Sequence, residues 1–218
     1  MKNYGVETTG ILIYFCPSIK RSNTFTLQND KSFLKYELKT LSNSNDLEIY
    51  LDFRTFEKNG ILFYHNFQVI NHLKIKENIA FSLFEGRLTF ELNTFDRKIS
   101  FQHRISGLNN GQWHSVYLLL SKNILNLTVD YEIELARILL KYLHLGVNFY
   151  FGGTDWSATQ IKTNDVHGFI GCLQNLRVNS NEINSNNVIV SSDDVILNSC
   201  KIINHCSPNP CENGMITI

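Results

Sequence analysis

From Asp46 the chain reads DLEIYLDF, and its apolar side chains recur at every second position. Leu47, Ile49, Leu51 and Phe53 fall on one side of an extended chain; Asp46, Glu48, Tyr50 and Asp52 fall on the other. A period of two is the mark of a strand with one buried and one wet face. Lys58-Asn59-Gly60 then supplies a turn, because Asn-Gly tolerates positive φ, and Ile61 to Tyr64 resumes as a strand. Residues 46–65 are therefore expected to form a hairpin.

The same pattern recurs downstream. Ile79 to Leu83 reads as a strand, Glu85-Gly86 as a turn, and Leu88, Phe90 and Leu92 as the inward side of the next strand. Asn109-Asn110-Gly111 precedes a strand from Trp113 to Leu120. After Ser121-Lys122-Asn123, the residues Leu125, Leu127, Val129 and Tyr131 alternate with Ile124, Asn126, Thr128 and Asp130. Short strands separated by close turn signals predict an all-β chain, an antiparallel jelly-roll β-sandwich. One exception is expected: Leu135, Leu139 and Leu143 share a helical spacing, which predicts a short helix within Glu132 to Leu145. Residues 181–199 are rich in Asn and Ser and read as loop around one strand, Asn187 to Val190.

The chain has 218 residues, a length that one β-sandwich domain fills. Its 43% hydrophobic content supports a packed core, and its formal net charge is zero. Neutrality, with Lys20-Arg21 as the densest basic stretch, argues against nucleic acid and against strong binding of sulfated chains. No apolar run approaches the roughly 18 residues that cross a membrane. The run Ile11 to Phe15 is short for a secretion signal.

Of five cysteines, Cys172, Cys200, Cys206 and Cys211 lie in the last 47 residues, and Cys16 stands apart. Cys206-Ser-Pro-Asn-Pro-Cys211 is too widely spaced for a redox pair or a zinc knuckle. Disulfides in an oxidising compartment fit this usage better than free buried thiols.

Four motifs occur in order: Asn110-Gly-Gln-Trp-His-Ser-Val116, then Leu127-Thr-Val-Asp130, then Tyr150-Phe-Gly-Gly153, then Gly168-Phe-Ile-Gly-Cys-Leu-Gln-Asn-Leu-Arg-Val178 with a later cysteine at 200. Over residues 25–200 this order resembles a laminin G-like domain. Residues 206–214, CSPNPCENG, resemble the start of an EGF-like repeat, but Met215 to Ile218 replace the expected third cysteine. Such modules alternate in neurexin-like, Crumbs-like, Slit-like and Fat- or flamingo-type cadherin surface proteins. The resemblance divides the chain into an N-terminal segment 1–24, a laminin G-like domain 25–200 and a truncated EGF-like start 201–218. A chain of this make-up is expected to be a piece of a larger modular surface protein, one anchored in a membrane outside this stretch.

The resemblance implies a structural disulfide between Cys172 and Cys200, worth about 3–4 kcal/mol on the chain-entropy estimate. Gly168 and Gly171 would allow close backbone approach beside it, and Phe169 would fill the core. It also implies one calcium ion at the sandwich rim. Glu77 stands where the family carries Asp, and Asn164 and Asp165 supply the second side; oxygen donors suit calcium, though Glu is one methylene longer. Cys16, Cys206 and Cys211 have no implied partner.

Asn126-Leu127-Thr128 is an N-glycosylation triplet on the polar side of its strand. His114 is expected to be a packed or strand-face histidine, and no Ser-His-Asp or metal spacing accompanies it. Asp46 and Glu48 lie two apart on one strand side, about 6.5–7 Å by backbone rise, within the range of a glycosidase carboxylate pair. The three-acid alternation of such hydrolases fails at Tyr50. The expected function is binding without catalysis: extracellular adhesion or recognition of a cell-surface or matrix protein or glycan. The alternatives are a lectin-like carbohydrate-binding domain or, last, a glycoside hydrolase.

Overall fold

In the computed structural model, the structure describes residues 23–38, 46–67, 77–94, 98–121, 124–137, 145–155, 167–190 and 194–202. Among these residues there are strands and no helix. In chain order they are β1 (Thr24–Leu27), β2 (Leu34–Glu37), β3 (Leu47–Arg54), β4 (Gly60–Phe67) and β5 (Asn78–Phe84). There follow β6 (Arg87–Asn93), β7 (Lys98–Gln102), β8 (His114–Leu120), β9 (Ile124–Val129) and β10 (Glu132–Arg137). The last are β11 (Leu145–Phe151), β12 (Gly171–Val178), β13 (Asn181–Glu182), β14 (Val188–Val190) and β15 (Val195–Leu197).

The strands make two antiparallel sheets. Sheet A runs β10-β9-β8-β3-β12-β1-β15, with β13 attached to β12; sheet B runs β14-β2-β11-β4-β5-β6-β7. This is the expected sandwich, consistent with a jelly roll. The inward side chains of both sheets meet in one core that includes Phe25, Ile49, Phe53, Phe81, Phe90, Leu118, Leu127, Phe149 and Phe169. At its centre Phe63 stacks on Phe81 at 4.9 Å and meets Phe151 edge-on at 5.3 Å. Offset and edge-to-face rings of this kind add attraction to the burial itself.

The expected hairpin over 46–65 does not form. β3 pairs with β8 and β12 in sheet A, whereas β4 pairs with β5 and β11 in sheet B. Residues 55–59 therefore cross between the sheets. Alternation and a turn are common to a hairpin and to such an arch. The distinguishing sign is that β4 is buried on both sides for most of its length, with the pattern BBBBBBiB. The hairpins β5–β6 and β8–β9 form as the alternation requires.

The helix expected within 132–145 is corrected over its first part, while residues 138–144 lie outside the described residues. Glu132–Arg137 is strand β10, paired with β9 from Glu132↔Val129 to Arg137↔Ile124. Asp130 and Tyr131 turn the chain with φ of 46° and 74°, the double positive φ of a tight hairpin. Asp-Tyr is not the usual pair for that turn, so the signal was hidden. Tyr131 is accordingly not inward-facing but 96% exposed. The segment 181–199 carries β14 at Val188–Val190 as expected, and also the short strands β13 and β15.

Candidate functional site

One end of the sandwich gathers the turns between β1 and β2, β3 and β4, β5 and β6, β7 and β8, and β9 and β10. The approach to β12 joins them. Backbone bonds tie these loops to each other. Gly168 N–H donates to Asp30 O at 3.1 Å, Gly111 N–H to Thr55 O at 2.9 Å, Gly86 N–H to Lys58 O at 2.9 Å and Leu108 N–H to Gly86 O at 3.0 Å. Side chains add to the brace: Thr55 Oγ1 donates to Ile170 O at 2.7 Å, and Arg54 Nε to Gly111 O at 2.6 Å. These bonds brace the described loops, while Asp30, Lys31, Glu57, Lys58, Gln112 and His167 stay exposed.

Cys172 and Cys200 form a disulfide, with Cα atoms 5.4 Å apart. Beside it Thr26 Oγ1 donates to Ser199 O at 2.6 Å and accepts from Lys201 N–H at 3.0 Å. The bond and this hydroxyl hold residues 199–201 against β1. A small pocket of about 140 Å³, lined in part by Thr26, Thr55, Glu57 and Lys201, opens alongside.

Two polar networks stiffen sheet A at the rim. His114 opens β8 with its ring turned inward, and its Nδ1 lies 2.5 Å from Asp130 Oδ2 while Nε2 lies 3.0 Å from Asn110 Oδ1. The other carboxylate oxygen, Asp130 Oδ1, accepts from Ser115 N–H at 2.8 Å. On the outward side, Asp52 is buried at 7% exposure. It accepts from Ser115 Oγ at 2.8 Å and from Asn175 Nδ2 at 2.5 Å. Burial pushes the Tyr50 hydroxyl above the usual phenol range, and the neighbouring Asp52 carboxylate acts in the same direction.

The outward side of sheet B carries a row of asparagines. Asn66, Asn78 and Asn93 are in register across β4, β5 and β6, and Asn148 projects from β11. Tyr64 donates to Asn66 Oδ1 at 2.6 Å, and Asn93 Nδ2 to Asn78 Oδ1 at 2.9 Å. Asn148 Oδ1 is buried with no hydrogen-bond partner. Burial raises the Tyr64 hydroxyl to about 12.

Of the calcium candidates, Glu77 lies among the described residues. Glu77 stands just before β5, where its carbonyl accepts from Phe67 N–H at 2.9 Å. Asn164 and Asp165 lie outside the described residues, as do Cys16, Cys206 and Cys211. Among the described residues no three His, Cys, Asp or Glu side chains form a metal-binding group. Asn126 lies mid-strand on the outward side of β9.

The backbones of Asp46 and Glu48 are both bonded to the Asn179 side chain. Asn179 Nδ2 donates to Asp46 O at 3.3 Å, and Asn179 Oδ1 accepts from Glu48 N–H at 2.7 Å. Both residues thereby hold the turn after β12. Glu48 also accepts from the Tyr117 hydroxyl, whose pKa is raised first by burial and then by this carboxylate.

Sequence reasoning missed the pairing of His114 with Asp130 and the role of Asp52. The first had a signal, since both residues sit inside the ordered motifs. The second had none, because a polar residue on an alternating strand gives no hint that neighbouring strands will enclose it.

Comparison with known proteins agrees with this architecture. The family model described as Laminin G domain matches residues 53–181. Neurexin-4 of Drosophila melanogaster is 29% identical over 208 residues, covering 92% of this chain and 15% of that protein. Contactin-associated protein 1 of Mus musculus is 27% identical over 178 residues, covering 77% of this chain and 12% of that protein. The chain therefore spans a small part of the relatives that it matches. Domains LG4-5 of the mouse laminin alpha1 chain superpose with a TM-score of 0.68 at 23% identity, covering 80% of this chain and 46% of that one. The LG1-3 region of the laminin alpha2 chain also gives 0.68, at 17% identity, over 84% of this chain and 36% of that one. Both show likeness of fold.

Proposed function

The chain belongs to the laminin G domain family, and from that premise we propose that it is an extracellular, non-catalytic binding module of a larger, membrane-anchored or matrix protein. Its partner is a cell-surface or matrix protein or glycan, engaged through the loop-bearing rim. The observation that supports this most directly is Tyr131, 96% exposed at the rim and seated on a turn fixed through Asp130. Tyrosine gives a large contact area at low entropic cost, and a rigid loop loses little further freedom on binding. Exposed polar groups elsewhere on the rim, Asn110, Gln112, Lys58 and Glu57, suit a mixed surface.

The test is binding of the folded, fluorescently labelled chain to cells of several types. Y131S should abolish or sharply reduce binding while leaving thermal unfolding unchanged. Protease treatment of the cells should remove a protein partner, and glycosidase treatment a glycan partner. Equal binding by Y131S and the unsubstituted chain would refute rim recognition through Tyr131.

The asparagine row favours a second reading, a lectin-like module. Side-chain amides match sugar hydroxyls as both donors and acceptors, and Asn66, Asn78 and Asn93 stand side by side across three strands. A glycan array with the chain and with N78A decides it: loss of a specific glycan signal in N78A supports the row, and no signal from either removes the reading. Calcium at Glu77, Asn164 and Asp165 is a separate proposal that rests on their oxygen donors. Calorimetry that shows no heat at millimolar calcium would end it.

A further inference from the structure

The one Asn-x-Ser/Thr triplet of this chain is set into an apolar strip on the flank of sheet A. Asn126 stands between Leu119 of β8 and Leu135 of β10, and Thr128 between Tyr117 and Ile133. Leu135 is 70% exposed, Ile133 57% and Ile124 49%. Large apolar side chains clustered in this way on a surface mark something that covers them.

The strip reaches β10, the last strand on that side of sheet A among the described residues. An exposed edge strand invites pairing with another chain. Its inward side is already closed, because Glu134 Oε1 accepts from Arg104 N–H at 2.8 Å and Glu132 pairs with the Arg104 guanidinium. Its outward side holds Ile133 and Leu135 bare. Between them and β8, Thr128 Oγ1 donates to Asn126 Oδ1 at 3.2 Å. That bond uses the carbonyl oxygen and leaves Nδ2, the atom that would bear a sugar, outside it.

We propose that Asn126 carries an N-linked glycan whose first N-acetylglucosamine residues lie over Leu119, Leu135 and Ile133, turning an adhesive flank into a hydrated one. The C–H side of the pyranose and the acetamido methyl meet the aliphatic side chains, and the hydroxyls face water. The Nδ2–C1 bond forms on the unfolded chain as the C1–O bond to a lipid-linked diphosphate donor breaks. The diphosphate departs with the bonding pair, and the Nδ2 proton passes to a base of the transferase. The glycan thereby leaves the rim as the face open to partners. The inference rests on the extracellular reading, since such transfer belongs to the secretory pathway.

The test uses the full chain secreted from a eukaryotic host behind a signal sequence. Enzymatic deglycosylation in heavy-oxygen water should convert residue 126 to labelled Asp in the peptide map. The glycosylated chain should elute as a monomer by light scattering. N126Q, or the folded chain stripped by glycosidase under native conditions, should shift to dimers or larger species and bind more apolar dye. N126Q/L135S should return to monomer. An unmodified Asn126 in secreted chain whose Cys172–Cys200 bond has formed would overturn the proposal. So would a stripped chain that stays monomeric with unchanged dye binding. A glycosylated chain that still dimerises, and is made monomeric by L135S, would show that a second copy covers the strip instead. A glycosylated monomer that binds no cell surface would count against the adhesion reading alone.

Discussion

His114 Nδ1 lies 2.5 Å from Asp130 Oδ2, which joins the first residue of β8 to the turn that follows β9. Two motifs some fifteen residues apart are one object in space. The carboxylate also accepts from Ser115 N–H, so Asp130 holds both the ring and the backbone where the rim begins. D130A should lose these bonds and place an alanine at φ 46°. A destabilisation of about 2–3 kcal/mol is expected, because bonds to a charged acceptor exceed neutral ones. Urea unfolding of D130A and D130N measures it, with D130N the milder.

His65 gives the fold a pH dependence. Its ring is 0% exposed, stacks on Phe149 at 4.2 Å, and has both nitrogens engaged. Nδ1 lies 2.8 Å from Asn148 O, and Nε2 accepts from Gly146 N–H at 3.2 Å. That pattern fixes the neutral tautomer, and burial lowers the pKa from 6.5 to about 4. The unfolded chain then binds the extra proton first. Stability is full above pH 6.5 and falls as pH drops toward 4, by about 3 kcal/mol in total. Unfolding midpoints between pH 7 and 4 should show this slope, and H65F should flatten it.

Reduction of the Cys172–Cys200 disulfide should cost about 3–4 kcal/mol for a sequence separation of 28. The C172S/C200S double variant should unfold at lower denaturant than the oxidised chain. Hydrogen exchange should rise first in β15, which pairs with β1 beside the bond. Equal stability of the two forms would show that Thr26 and the strand pairing suffice.

Gly168 permits a contact that no side chain allows. A Cβ there would sit 2.2 Å from Asp30 O, the acceptor of the Gly168 N–H bond. G168A should push these two loops apart and destabilise by about 1–3 kcal/mol, as overpacking does. The thermal midpoint reports it. An unchanged midpoint would mean that the rim yields easily.

Much of the strand content was legible because burial on one side imposes a period of two, and β3, β5, β6, β8 and β9 carry it plainly. β4 and β11 were harder, since a central strand buried on both sides loses its alternation. β10 was misread because Leu135, Leu139 and Leu143 satisfy a helical spacing that nothing in the local sequence opposes. The pairing with β9 decided otherwise.

The alternation, the turn residues and the ordered glycine and cysteine motifs by themselves determined an all-β sandwich, since each reports a local preference or a close approach. Only the tertiary structure decided that β3 and β4 lie in opposite sheets, because sheet membership depends on hydrogen bonds to distant strands. It alone enclosed Asp52, presented Tyr131 at the rim and set Asn126 between Leu119 and Leu135. Each of these facts is a relation between strands, and a strand's sequence records which side is buried but not which neighbour stands beside it.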